Sequence, residues 1–176
     1  MLRPIAALFF CGAALVAVDL TGCTDAAPPT GQPSFYLDLA EPGAALDANA
    51  AQSMITGYRS NNGLGPVTVD PELMRLATDQ ARAMAAAGKL DHSASRPFQE
   101  RIQKSGFDAA LAVENIGAGY HTLAEAFSGW RDSPPHRANM LNSTVTRMGI
   151  AAVYTPQSKY KVFWSLILAK PDERRG

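Results

Sequence analysis

Tyr160-Lys161-Val162-Phe163-Trp164-Ser165-Leu166-Ile167-Leu168 is apolar at odd and even positions alike, with Ser165 as its one polar interruption after Val162. A strand turns successive side chains to opposite faces, so a strand apolar on both is a central strand covered on each side. This one stretch predicts helices packed on both faces of a sheet, an α-β-α layering within the α+β class. Immediately before it, Met148-Gly149-Ile150-Ala151-Ala152-Val153-Tyr154 reads as a second strand, joined to the first by a turn through Pro156, Gln157 and Ser158.

Upstream the hydrophobic period changes from 2 to 3.6. A helix is expected from Ala48 to Ser60, with Met54, Ile55 and Tyr58 on one side and Asn61-Asn62-Gly63 as its stop. The next has Asp70 as cap, Pro71 at the first helical position, an inward stripe of Leu73, Leu76, Ala77, Ala81 and Met84, and Gly88 as terminator. Pro97 to Ile102 predicts a short helix closed by Gly106. Thr122-Leu123-Ala124-Glu125 is a capping box, and Leu123, Ala126, Phe127 and Trp130 follow at helical spacing, which makes Trp130 a core residue. Ser133-Pro134-Pro135 should start another short helix, with the serine as cap and the prolines where amides have no intrahelical partner.

The first residues carry an address. Arg3 precedes an apolar run from Ile5 to Val18 that is too short to span a bilayer, and Leu20-Thr21-Gly22-Cys23 follows. That ending resembles the lipobox of bacterial lipoproteins. It implies a signal peptide over 1–22, acylation of Cys23 and a membrane as partner through those acyl chains. Thr24, where an aspartate would retain the protein, resembles the signal for sorting to the periplasmic face of the outer membrane. Residues 23–47, rich in Ala, Pro, Gly and Thr, read as a tether of roughly 25 to 30 Å root-mean-square span. Within it Ser34-Phe35-Tyr36-Leu37-Asp38-Leu39 reads either as a docked strand or as a stray apolar patch. With Cys11 lost and Cys23 acylated, the domain over 48–170 holds no thiol for a disulfide. It must rest on an ordinary core, for which its length suffices. Residues 171–176 read as a charged tail. Lys plus Arg and Asp plus Glu number 16 each, so the chain has no net field to attract nucleic acid.

Three polar residues stand in segments built to fix them: His92 in Leu90-Asp91-His92-Ser93, Glu114 in Glu114-Asn115-Ile116-Gly117-Ala118-Gly119, and His136 in Ser133-Pro134-Pro135-His136-Arg137-Ala138-Asn139. With Trp130, Leu141, Gly149 and Trp164 in register, these segments resemble the CAP superfamily of cysteine-rich secretory, antigen 5 and pathogenesis-related 1 proteins, in its bacterial SCP-like branch. The resemblance implies an α-β-α sandwich with a short antiparallel or mixed sheet and a cleft. Many members place two histidines and two glutamates there. The matching positions are His92, Glu114 and His136, while Ser133 stands where the second glutamate is expected.

Two imidazoles and a carboxylate suit a weakly held divalent metal such as zinc, and Glu114 is then the candidate general base. A helix N-terminus should disfavour the cationic form of His136. The same trio equally suits a buried polar network that locks layers together, while Ser133 beside His136 lacks a third residue to make it a nucleophile. Arg137 and Asn139 should hold backbone groups or pair locally. Three functions are open: an envelope lipoprotein whose cleft of His92, Glu114, His136 and Ser133 binds a lipid, a cell-wall fragment or an envelope protein; a metal-assisted hydrolase of peptidoglycan or peptide; and a structural interaction protein.

Overall fold

A computed structural model describes residues 31–172. The signal peptide, Cys23, Thr24, the tether up to residue 30 and residues 173–176 lie outside the described residues. Along the chain run α1 (Ala48–Ser60), β1 (Thr68–Val69), α2 (Pro71–Ala87), α3 (Phe98–Gln103), β2 (Ala109–Ala118), α4 (Leu123–Asp132), α5 (Pro134–Met140), β3 (Arg147–Tyr154) and β4 (Val162–Pro171). The strands form one mixed sheet in the order β1-β3-β4-β2. β1 runs parallel to β3, whereas β4 is antiparallel to both its neighbours.

β4 is central and covered on both faces. Val162, Trp164, Leu166 and Leu168 point into a core shared with α1, α4 and α5 through Ala51, Ile55, Ala126, Trp130 and Met140. Ile167 and Ala169 point the other way, against Leu73, Leu76, Ala77 and Ala81 of α2 and Ile102 of α3. Phe163 meets Met84 and Ile116 on that second face. The helix closest to the sheet is α2, and Gly149 explains how it gets there. A Cβ on Gly149 would lie 2.1 Å from the Leu73 carbonyl carbon, so only glycine lets this backbone approach the strand.

Local chemistry sets the helix ends. The Asp47 carboxylate accepts from the amides of Asn49 and Ala50 at 3.0 Å each, and Asp70 accepts from Glu72 and Leu73 at 2.9 and 3.1 Å. Gly88 closes α2 in the left-handed region at φ 61°. Thr122 and Glu125 form both bonds of a capping box. Ser133 differs from expectation: it occupies the N-cap position of α5 in extended backbone, yet its side chain makes no capping hydrogen bond. Pro135 removes the amide at the second helical position, and the remaining candidate, the amide of His136, is not bonded by the serine either.

Three other elements depart from the reading of the sequence. Pro97 takes the N-cap position of α3, so the helix begins at Phe98. β4 begins at Val162 and extends to Pro171, because Lys161 adopts a positive φ of 62° that belongs to the preceding turn. Residues 34–39 form no strand: Ser34–Tyr36 is a single 3-10 turn. Part of the stretch read as tether nonetheless packs on the domain, with Leu39 only 5% exposed and its amide donating to His121 O at 2.8 Å.

Arg59 of α1 is the largest buried cation. Its guanidinium donates to four carbonyls, those of Gly65, Met140, Asn142 and Val145, at 2.8 to 3.1 Å. It thereby ties α1 to the end of α5 and to the loop that leads into β3. Burial lowers its pKa from the ordinary arginine value.

Candidate functional site

β2 is an edge strand, and the period of 2 sends Glu114 and Asn115 to opposite faces of the sheet. Glu114 turns toward α2 and α3, where its side chain is only 2% exposed. Every part of its carboxylate is engaged. Arg101 Nη2 donates to Oε1 at 2.9 Å and to Oε2 at 3.0 Å, and Ser165 Oγ stands 3.3 Å from Oε1. His92 Nδ1 lies 2.9 Å from Oε2. With both oxygens accepting from Arg101, the imidazole must donate, which places its proton on Nδ1 and leaves Nε2 as the outward atom.

Sequence reading missed Arg101. The sequence shows it only as part of a short helix, yet Phe98, Arg101 and Ile102 share one face of that helix, so the arginine sits inside an apolar stripe. A charge at such a position needs a buried partner, and that was the available signal. The guanidinium lies 5.1 Å from the Phe98 ring centroid and also donates to His92 O at 3.0 Å and Arg96 O at 3.2 Å. Gln80, fully buried in α2, donates to Asp91 O at 2.7 Å. Two consecutive carbonyls of the His92 loop are thus pinned from beneath, while the His92 side chain stays 53% exposed.

On the opposite face Asn115 Nδ2 donates to His136 O at 3.0 Å, and Asn139 Nδ2 donates to Asn115 Oδ1 at 2.9 Å and to Glu114 O at 3.2 Å. Trp130 Nε1 donates to Ile116 O at 3.1 Å. α4 and α5 therefore cover the edge of β2 with side-chain donors, which removes the free carbonyls an edge strand would present. Asn139 and Arg137 hold backbone groups as expected, the latter through Arg131 O at 3.3 Å. Trp130 is core, 1% exposed and in edge-on contact with Trp164 at 6.2 Å. His136 is half-buried beside the strand edge. Burial lowers its pKa from the ordinary histidine value, and electrostatic repulsion between the two imidazoles in their protonated forms adds to the shift. The direction matches the expectation from the helix terminus, but the cause is desolvation.

The sequence pattern that defines the cysteine-rich secretory protein family, CAP, matches residues 52–168, about two thirds of the chain. This chain belongs to the CAP family. It is 26% identical over 130 residues to the uncharacterized protein YkwD of Bacillus subtilis (strain 168), an alignment covering 72% of this chain and 50% of that protein. The chain thus spans about half the length of the curated relative it matches. Among solved structures it is similar to an outer surface protein of Borrelia burgdorferi, with TM-score 0.63 and 20% identity over 71% of this chain and 92% of that one. An extracellular protein containing an SCP domain from Bacillus anthracis gives TM-score 0.58 and 23% identity, covering 69% of this chain and 41% of that one. At these identities the likeness is one of fold.

The expected CAP trio comes together only in part. His92 and Glu114 are paired directly, whereas His136 reaches the strand edge from the other face, where Asn115 holds its backbone carbonyl and no hydrogen bond joins its ring to the pair. Ser133, the residue in place of a second glutamate, is half-buried at the junction of α4 and α5. Among the described residues no three His, Cys, Asp or Glu side chains are grouped so as to hold a metal ion together. The expected ligand set of His92, Glu114 and His136 does not fit zinc as built, because a guanidinium already covers both Glu114 oxygens. The Glu114 carboxylate is buried, and its two oxygens accept from Arg101, His92 and Ser165.

Proposed function

We propose that this CAP protein is a lipid-anchored envelope protein whose cleft is a non-catalytic binding module. The observation that carries the proposal is the internal use of Glu114. The acid that a hydrolytic mechanism would need is spent on Arg101, His92 and Ser165. What faces outward is a rigidly mounted His92 and a half-buried His136, a surface able to recognise but poorly equipped to react. Such a surface is polar, which suits a cell-wall fragment or an envelope protein better than an acyl chain.

The location rests on the lipobox-like Leu20-Thr21-Gly22-Cys23. It is supported by relatives described as an outer surface protein and an extracellular protein. No helix among the described residues is long and apolar enough to cross a membrane. The experiment is crosslinking of the acylated protein in its own envelope, wild type against His92→Ala/His136→Ala. Loss of one specific partner or cell-wall adduct in the double variant is the expected result; identical capture by both proteins would favour a purely structural role.

A further inference from the structure

We infer that Arg101 is the resident cation of this site, occupying the position on Glu114 that a divalent metal would otherwise take. Nη2 of Arg101 lies within 3.0 Å of both carboxylate oxygens, and the two side chains are 5% and 2% exposed. A metal ligated by Glu114 would have to displace a buried guanidinium and leave it unpaired, a large penalty. The same guanidinium has its other terminal nitrogen, Nη1, buried with no hydrogen-bond partner among the described residues. A buried donor left unsatisfied is costly, and the bonds made by Nε and Nη2 must outweigh it. The strongest of these is the ion pair with Glu114, in which both side chains are buried.

The consequence reaches His92. Arg101 keeps Glu114 an acceptor, Glu114 takes the Nδ1 proton, and Nε2 of His92 is held toward solvent without any ion. The Arg101 bond to His92 O fixes the loop in the same stroke. Arg101 is therefore a positioning residue for His92, acting through Glu114 and the loop backbone. This role is independent of what the cleft binds.

The test is nitrogen-15 NMR of the imidazoles in the full acylated protein at neutral pH, with His92 assigned from a His92→Gln spectrum. Wild type should show His92 as the Nδ1-protonated tautomer, unchanged by chelator or by excess zinc. Arg101→Lys, which keeps a cation, should preserve that tautomer. Arg101→Gln should release it to a mixture and should gain a zinc-dependent rise in melting temperature that wild type lacks. An Nε2-protonated His92 in wild type, or His92 resonances that shift when zinc is added to wild type, overturns the inference. So does a folded Arg101→Gln protein indistinguishable from wild type. Should Arg101→Gln not fold, the wild-type spectra decide alone.

Discussion

Glu114 and Arg101 show how one buried ion pair can define a site and yet add little to stability. Each charge pays a desolvation cost that their attraction offsets only while both are present. Glu114→Leu or Arg101→Met alone should therefore cost about 3–5 kcal/mol, because each strands the other charge. The double variant should cost clearly less than either single one in denaturant melts, and additive losses would show that the two do not act as a pair. His136 carries a pH dependence of definite sign. Its folded-state pKa lies below the ordinary value of 6.5, so the unfolded chain takes up the proton first. Stability from the neutral ring is intact above about pH 6.5 and is lost as pH falls through the lower folded-state value. Unfolding curves collected from neutral to acidic pH should show this loss, and His136→Gln should flatten it. The three candidate residues were legible because His92, Glu114 and His136 stand in distinctive segments. Arg101 was not, since a lone arginine in a six-residue helix has the look of a solvated charge until its partner, 13 positions away, is seen.

Helix ends were the most legible elements because caps are local chemistry, and the exception is instructive. Asp70 caps α2 through two amides, whereas Ser133 caps nothing: Pro135 removes one of its two candidate amides and the other, on His136, goes unbonded by it. Asp70→Ala should then cost about 1 kcal/mol of stability, and Ser133→Ala less than about 0.5 kcal/mol. Equal losses in thermal melts would mean that Ser133 holds α5 after all. The strand β2 escaped sequence reading although it carries Glu114. Ala109-Ala110-Leu111-Ala112-Val113 offers too little contrast between its two faces for a period of 2 to show. β1 escaped for a simpler reason, being two residues whose place is set by pairing with Arg147 and Met148. No local signal specifies so short a strand.

The layering of the whole molecule followed from β4 alone, because a strand apolar on both faces must be covered on both. Membership of the CAP family agrees with it, and so does the separation of the core into one cluster on each side of the sheet. The sheet also explains why the trio could not be assembled from sequence. Adjacent residues of an edge strand face opposite layers, so Glu114 meets His92 on one side while Asn115 meets the backbone of His136 on the other. A site straddling a strand edge in this way leaves His92 half-exposed and His136 half-buried and keeps the Glu114 carboxylate inside. The central claim is that such a cleft binds and does not hydrolyse. Release of soluble fragments from purified peptidoglycan by the acylated protein, with and without added zinc, tests it most directly. The account predicts no release above that of a His92→Ala/His136→Ala control in either condition; turnover that the control lacks and a chelator abolishes would contradict it.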